Sequence, residues 1–384
     1  MSGPLNGVRI IDLSTVVSGP MATMMLADQG AEVIKIERED GDFTRQLATR
    51  RAGYSAIYLN NNRNKKSVVL DLKSPEGLEA VKQLCRDADV FVQNFRPGVA
   101  KRLGLGPDVL RALNPRLIYM SIAGFGFDGP LAGKPVYDPL IQAVSSLTTV
   151  QAGSDEERPR LIRTIVPDKL TAVQASQAIS AALFSRERTG EGQEVQLSML
   201  DTVVSFLWGS DMNGHTFVGD ELEREESQSF IDLIYEVADG YASISVMQDK
   251  HWEGLAKATG RPDILEDDRF LTAELREMNR EARLALTQSI VSEMMRDELL
   301  ERLEQEGVPC APVLTRSEMR VHPQVAANQT VIEYEHPVAG RLRQARNPAV
   351  FHGTPTGKVT PAPALGEHTD EILGASSAVA ELTG

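Results

Sequence analysis

The sequence predicts an α/β fold built on a doubly wound parallel sheet, with a smaller α+β domain attached. Three observations carry this. Short apolar, β-branched runs alternate with segments of helical period through the first two hundred residues. Beyond Trp208 the alternation stops, and charged helical segments dominate. The length of 384 residues suits two domains or one elaborated domain.

GVRIIDL (Gly7 to Leu13) reads as a first strand ending near Ser18-Gly19-Pro20. MATMMLADQG then has helical composition, and EVIKIE reads as a second buried strand, completing a βαβ unit. Met24, Met25 and Leu26 are assigned to the core and Gly30 to the helix stop. Glu37, at the end of the second strand, is a weak echo of the ribose-binding acid of dinucleotide folds. The segment DFTRQLATRRAGYSAIYLNNNRNKKS is expected to be irregular and basic, leading into a strand at SVVLDLK. Ser74-Pro75 is an N-cap and first-turn proline, so GLEAVKQLCRDA is helical and DVFVQNF returns to strand. Arg63, Lys65 and Lys66 precede the SVVLDLK strand and Lys73 follows it. Ligands gather at the C-terminal ends of parallel strands, which favours Lys73.

After Asn94-Phe95-Arg96-Pro97-Gly98 a short polar connection is expected, then a strand in NPRLIYMSIAGFGFDGP with a glycine-rich exit. DPLIQAVSSLTTV is expected to be one helix, and 153–160 a loop. Next comes a helix opened by Pro167-Asp168, in which Ala172, Ala175, Ile179 and Ala182 recur at helical spacing before Gly190 and Gly192. The acidic run Asp220 to Glu226 reads as a solvated loop, FIDLIYEVADGYASISVM as a hairpin turning at Asp239-Gly240, and 251–307 as mostly helical. From Val308 the chain is proline-rich and expected to be extended, crossing back over the first domain. The expected divisions are 1–208, 209–320 and 321–384.

Hydrophobic residues make up 42% and charged residues 24%, an ordinary soluble composition, and no apolar run is long enough to cross a bilayer. The start MSGPLNGVRIIDL lacks a basic n-region leading into an apolar h-region. With two cysteines far apart, Cys85 and Cys310, a reduced, cytoplasmic protein is expected. A net charge of −14 argues against nucleic acid as a partner. Yet residues 1 to 120 hold 17 Lys and Arg against 13 Asp and Glu, whereas the remainder holds 23 against 41. A small polyanion would be drawn to that N-terminal third.

Few chemistries remain. The six histidines are scattered without metal-ligand spacing, so no metal is expected. There is no G-x-S-x-G and no P-loop, and the turn of the first βαβ unit lacks G-x-G-x-x-G. Asp168 stands out because a helix N-terminus favours an ionised carboxylate. An aspartate there is more often a plain cap, so residues elsewhere must decide.

Those residues carry a resemblance. GVRIIDLSTVVSGPMATMMLADQGAEVIKIE, NRNKKSVVLDLKSPEG, DVFVQNFRPG, NPRLIYMSIAGFGFDGP, the Asp168 segment with RERTGEGQ, and PALGEHTDEIL together resemble the class III coenzyme A-transferases, in order and over nearly the whole length. The resemblance implies a Rossmann-like large domain made from both chain ends, an inserted small domain, and an interlocked homodimer. It implies transfer of CoA from an acyl-CoA thioester to a carboxylic acid, with CoA as substrate and no cofactor. It places the acylated aspartate on Asp168, and CoA contacts on Val17, Ser18, Arg38, Leu70, Asp71, Leu72, Lys73, Asn94, Phe95, Arg96, Arg102, Val136, Tyr137 and Asp138.

Two departures stand out. One transferase branch carries glutamine and alanine where this chain has Val17 and Ser18, and has a glycine-run loop not found between Trp208 and Phe230. The α-methylacyl-CoA racemase branch is the alternative, but it has a histidine where Tyr137 stands, and tyrosine with an ordinary pKa of about 10 is a poor base at neutral pH. A nucleotide-binding oxidoreductase built on the first βαβ unit lacks its glycine fingerprint there, and a non-catalytic CoA-binding protein is the remaining alternative.

Overall fold

The computed structural model describes residues 2–219, 233–246 and 248–374. It divides into two compact units: Met1–Gln228 with Gln329–Gly384, and Ser229–Asn328. These divisions fall at 228/229 and 328/329, later than the 208/209 and 320/321 read from the sequence. The acidic run Asp220 to Glu226 lies outside the described residues.

The first unit begins with β1 (Arg9–Asp12), α1 (Ser18–Asp28) and β2 (Glu32–Glu37). A small hairpin, β3 (Arg50–Arg51) and β4 (Tyr54–Ser55), precedes α2 (Ala56–Asn62), β5 (Lys65–Val69), α3 (Pro75–Arg86) and β6 (Val90–Gln93). Then come α4 (Val99–Arg102), α5 (Pro107–Leu113), β7 (Ile118–Ala123), α6 (Asp138–Val144), α7 (Leu147–Ala152), α8 (Val166–Thr189), β8 (Glu194–Ser198) and α9 (Met199–Trp208). Six strands form one sheet in the order β5-β2-β1-β6-β7-β8, with every pair parallel. This is the doubly wound order of dinucleotide folds, with its switch point between β1 and β6.

Alternation along each strand feeds two layers. Ile10, Val33, Val90, Val92 and Met120 pack on α1 and α8 through Ala22, Leu26, Ala172, Ala175 and Ile179. Ile11, Ile34, Val68, Phe91 and Tyr119 pack on α3 and α5 through Val81, Leu84, Cys85 and Leu110. Both faces are covered, which is why these strands read as continuous apolar runs. Met24 and Leu26 are buried as expected, whereas Met25 is half-buried. Ser74 caps α3 by accepting from the Gly77 N–H at 2.9 Å.

Several expectations are corrected. The 42–67 segment is ordered, not irregular: Asp42 caps a short 3-10 turn at Phe43–Gln46, and Ser55 caps α2. Its asparagine-rich composition hid a helix whose Asn61 and Asn62 amides donate to backbone carbonyls one turn back. The helix expected over 138–150 breaks in two at Ser146, which sits at φ 66°. The polar connection after Gly98 contains α4 and α5.

The second unit has a hairpin, β9 (Ile234–Val237) and β10 (Gly240–Ile244), turning at Asp239-Gly240 as read. The helices α10 (Asp249–Thr259), α11 (Ala273–Met278), α12 (Arg280–Val291) and α13 (Arg296–Gln305) follow. β11 (Cys310–Pro312) then pairs with β10, and α14 (Arg316–Val321) and α15 (Pro323–Ala327) end the unit. Its core joins Trp252, Phe270, Leu255 and Leu299 to the inner face of the hairpin. The first unit resumes with a second hairpin, β12 (Val331–His336) and β13 (Gly340–Ala345). So the tail after Val308 is only partly extended, as two helices and a hairpin lie within it.

Candidate active site

Because all six strands are parallel, the loops after β1, β2, β5, β6 and β7 leave the same edge of the sheet, where ligands bind in such folds. Every residue assigned to the site except Asp168 lies on these loops or the short helices they open. Asp168 is in the first turn of α8, two residues past its start.

The N-termini of α1 and α8 meet at Asp168. Ser18 begins α1 and is buried, and its hydroxyl and backbone N–H lie close enough to the Asp168 carboxylate to favour its ionised form. Asp138, buried at the start of α6, accepts the Asp168 backbone N–H on Oδ2 at 3.1 Å. It thereby caps α8, whose own flanking residue Ile165 offers no side-chain cap. The other Asp138 oxygen accepts Gln142 Nε2 at 2.7 Å. Gln142 Oε1 in turn accepts the Ile162 N–H at 3.0 Å, pinning the segment that leads into α8. Burial and the neighbouring Asp138 charge push the Asp168 carboxyl up to about 6, against the Ser18 N–H and hydroxyl, which lower it. Burial also raises the Asp138 carboxyl, opposed by Gln142 and the Asp168 N–H. Asp168 is therefore largely ionised at neutral pH yet poorly solvated, which suits a nucleophile.

Beside Asp138 a cavity of about 230 Å³ opens, lined by Asn94, Phe95, Arg96, Lys134, Val136 and Tyr137 among others. Five of these were expected from the sequence, and Lys134 was missed. Gly124 makes the wall possible, because a Cβ there would sit 2.0 Å from Val136 Cγ1. Lys73, Arg96, Arg102 and Lys134 are exposed and form no ion pair among the described residues, so four cations along this edge are available to an anion. Arg38 is exposed and pairs with Asp40 at 2.9 Å.

Other expected contacts have structural duties as well. Leu70 is buried and Leu72 half-buried against the α3 layer, and the Asp71 side chain accepts the Lys73 N–H at 2.9 Å. Asn94 bridges the switch point: its Oδ1 accepts the Thr15 N–H at 2.9 Å and its Nδ2 donates to the Thr15 carbonyl at 2.7 Å. Val17 is buried at the N-cap of α1. The ribose echo of Glu37 is overturned. Its carboxylate is closed by Arg45, Ser67 and the Asp42 N–H, and although burial alone would raise it, Arg45 and Lys35 hold it at about 2.

Residues 5–369 match the profile described as CoA-transferase family III. The chain is 36% identical to a succinate–glutarate CoA-transferase of Agrobacterium fabrum, over 96% of this chain and 95% of the relative. It is 32% identical to a formyl-CoA:oxalate CoA-transferase of Streptomyces coelicolor, over 96% and 94%. Among solved structures, a CaiB/BaiF family protein from Brucella suis superposes with a TM-score of 0.87 at 30% identity, covering 98% of this chain and all of that one. With a profile match over nearly its full length and relatives aligned end to end, this chain is an enzyme of CoA-transferase family III.

Proposed function

We propose that Asp168 carries the transfer by accepting first the acyl group and then CoA. The observation that carries this reading is the poorly solvated Asp168 carboxylate, held between two helix N-termini beside a cavity edged with unpaired cations. A carboxylate oxygen of Asp168 attacks the thioester carbonyl, the C–S bond breaks, and CoA leaves as the thiolate, giving a mixed anhydride. The thiolate attacks the aspartyl carbonyl, releasing the donor acid and forming an aspartyl-CoA thioester. The acceptor carboxylate attacks that thioester, the thiolate returns to the acceptor's acyl carbonyl, and Asp168 is regenerated as carboxylate. Each charge expelled is taken up in the next step, so no cofactor is required. The Ser18 N–H and hydroxyl, which favour the ionised Asp168, would stabilise charge developing on the aspartyl oxygen.

Lys73, Arg96, Arg102 and Lys134 would meet CoA phosphates, with Arg38 at their margin. The relatives' names make small mono- and dicarboxylic acids the first acceptors to try. The reading also includes a homodimer working in the cytoplasm. Nothing here favours a racemase, because proton transfer at an α-carbon needs two acid–base groups. The charged group facing Asp168 is Asp138, already committed to Gln142 and to a backbone N–H.

The test mixes a panel of acyl-CoA donors with succinate, glutarate, oxalate and other acids in heavy water, and scores new CoA esters and α-deuterium by mass spectrometry. New esters with the parent, none with Asp168→Asn, and a hydroxamate on the Asp168 peptide after hydroxylamine quenching are expected. Parent-rate exchange by Asp168→Asn overturns the mechanism, and α-deuterium without new esters means a racemase.

A further inference from the structure

The loop between β1 and α1 carries Ser18 to Asp168 in an unfavourable conformation. Val16 sits at φ 71°, in the left-handed region where a β-branched residue is rarely found. Something must hold it there. Asn94 fixes Thr15 from the neighbouring strand end. The remaining holds come from beneath the sheet edge, from charges buried in the core. Lys35, in the middle of β2, is fully buried and donates from Nζ to the Ser14 carbonyl at 2.8 Å and to Asp42 Oδ2 at 3.0 Å. Asp42, also buried, accepts the Val16 N–H at 3.2 Å on Oδ2 and caps its own turn by accepting the Thr44 N–H and hydroxyl on Oδ1. Asp12 accepts the Ser14 N–H and is itself held by Lys65. Every backbone N–H from Ser14 to Val16, and the carbonyls of Ser14 and Thr15, is thus taken by a side chain.

Two ion pairs with all four side chains fully out of solvent are an expensive way to stabilise a core, since apolar residues of like volume serve as well. What apolar residues cannot do is hold particular backbone groups. We propose that Lys35 and Asp42 are positioning residues for the Asp168 chemistry: they clamp Ser14 and Val16 so that the first turn of α1 aims the Ser18 N–H and hydroxyl at the carboxylate. This rests on the assignment of Asp168 as the acylated group.

The test is the double variant Lys35→Met/Asp42→Asn. It removes one cation and one anion together, leaves net charge unchanged, and retains the oxygen that caps the Thr44 turn. Asp138, the charged group facing Asp168, and Lys169, which acts on Asp138, are untouched. With the loop unclamped, kcat is expected to fall about tenfold or more. The acidic limb of kcat/KM should move to higher pH, because donors that favour the ionised Asp168 have moved away. Ser18→Ala should move the limb in the same direction, and combining it with the double variant should move it little further. Adding Val16→Gly, which adopts a left-handed φ without strain, should recover part of the lost kcat.

A purely structural pair would lower thermal stability without moving the acidic limb and without rescue by glycine. An unmoved limb in a folded variant, or full additivity with Ser18→Ala, overturns the inference. If the double variant does not fold, Asp42→Asn with and without Val16→Gly supplies the same comparison. Exchange by Asp168→Asn at the parent rate defeats the underlying assignment instead, whereas an inactive Asp168→Asn with an unmoved limb defeats only the positioning role.

Discussion

Replacing Asp168 with asparagine should make the protein more stable at neutral pH while stopping its chemistry. The carboxyl is raised from 3.8 to about 6 in the folded chain, by burial first and by Asp138 second. A group whose folded pKa is raised binds its proton more tightly in the folded state. Its favourable contribution is complete below about pH 4 and is lost as pH rises through 6. Above that range the ionised carboxylate opposes folding by about 1.4 kcal/mol for each tenfold gain in proton affinity, hence about 3 kcal/mol here. Asparagine has the same shape, still accepts from Ser18, and has no charge to repel Asp138. Urea unfolding at fixed protein concentration, repeated from pH 4 to pH 8, should show Asp168→Asn ahead by about 2 to 3 kcal/mol at pH 7.5 and level with the parent near pH 4. A gain that does not change with pH, or no gain at neutral pH, would refute the account of a desolvated, repelled carboxylate.

Gly124→Ala should drive Val136 out of place, since the new Cβ would lie 2.0 Å from its Cγ1; a raised KM for acyl-CoA and a loss of about 1 to 3 kcal/mol of stability are the readouts. Asn94→Ala removes both hydrogen bonds to Thr15, and steady-state kinetics should show kcat and KM changing together as the switch point loosens. Lys134→Ala and Arg96→Ala should each weaken CoA binding by about 0.5 to 1 kcal/mol in calorimetry, with the difference shrinking as salt rises. Asp12→Leu strands Lys65 in the core, and chemical denaturation should report a loss of about 3 to 5 kcal/mol, far more than the Ser74→Ala cap deletion at about 1 kcal/mol.

Local chemistry made the sheet legible from sequence. Runs such as VFVQ and IYMSIA are largely apolar because both faces of a parallel strand are covered, and Ser74-Pro75 states a helix start in two residues. The Asp168 helix was legible for the same reason, from Pro167 to the left-handed Gly190 at its end. What escaped depended on partners distant in the chain. The Asn-rich α2 satisfies its amides internally, and the β12–β13 hairpin joins the first unit through Gln344, which donates to the Leu59 carbonyl at 2.8 Å. No window of sequence contains both partners of such a contact. Lys134 had only a weak signal, a lysine in a Gly-Lys-Pro loop. Lys35 had a stronger one, because a lysine in the middle of the apolar run EVIKIE needs a buried acceptor.

The same reasoning bears on the proposed role of Asp168 as a nucleophile in this environment. In water aspartate is ionised but well solvated, hence a weak nucleophile; in an apolar pocket it would simply keep its proton. Here burial and Asp138 raise its basicity, while the Ser18 donors stop the rise near 6, so the anion persists at pH 7 with little water around it. Those donors are useful only if the α1 turn stays aimed at Asp168, and that turn passes through a strained Val16. Reactivity at Asp168 and the buried Lys35–Asp42 pair are therefore one arrangement: loosening the clamp would both raise the carboxyl's pKa and withdraw the hydrogen bonds that stabilise the oxygen it must expose.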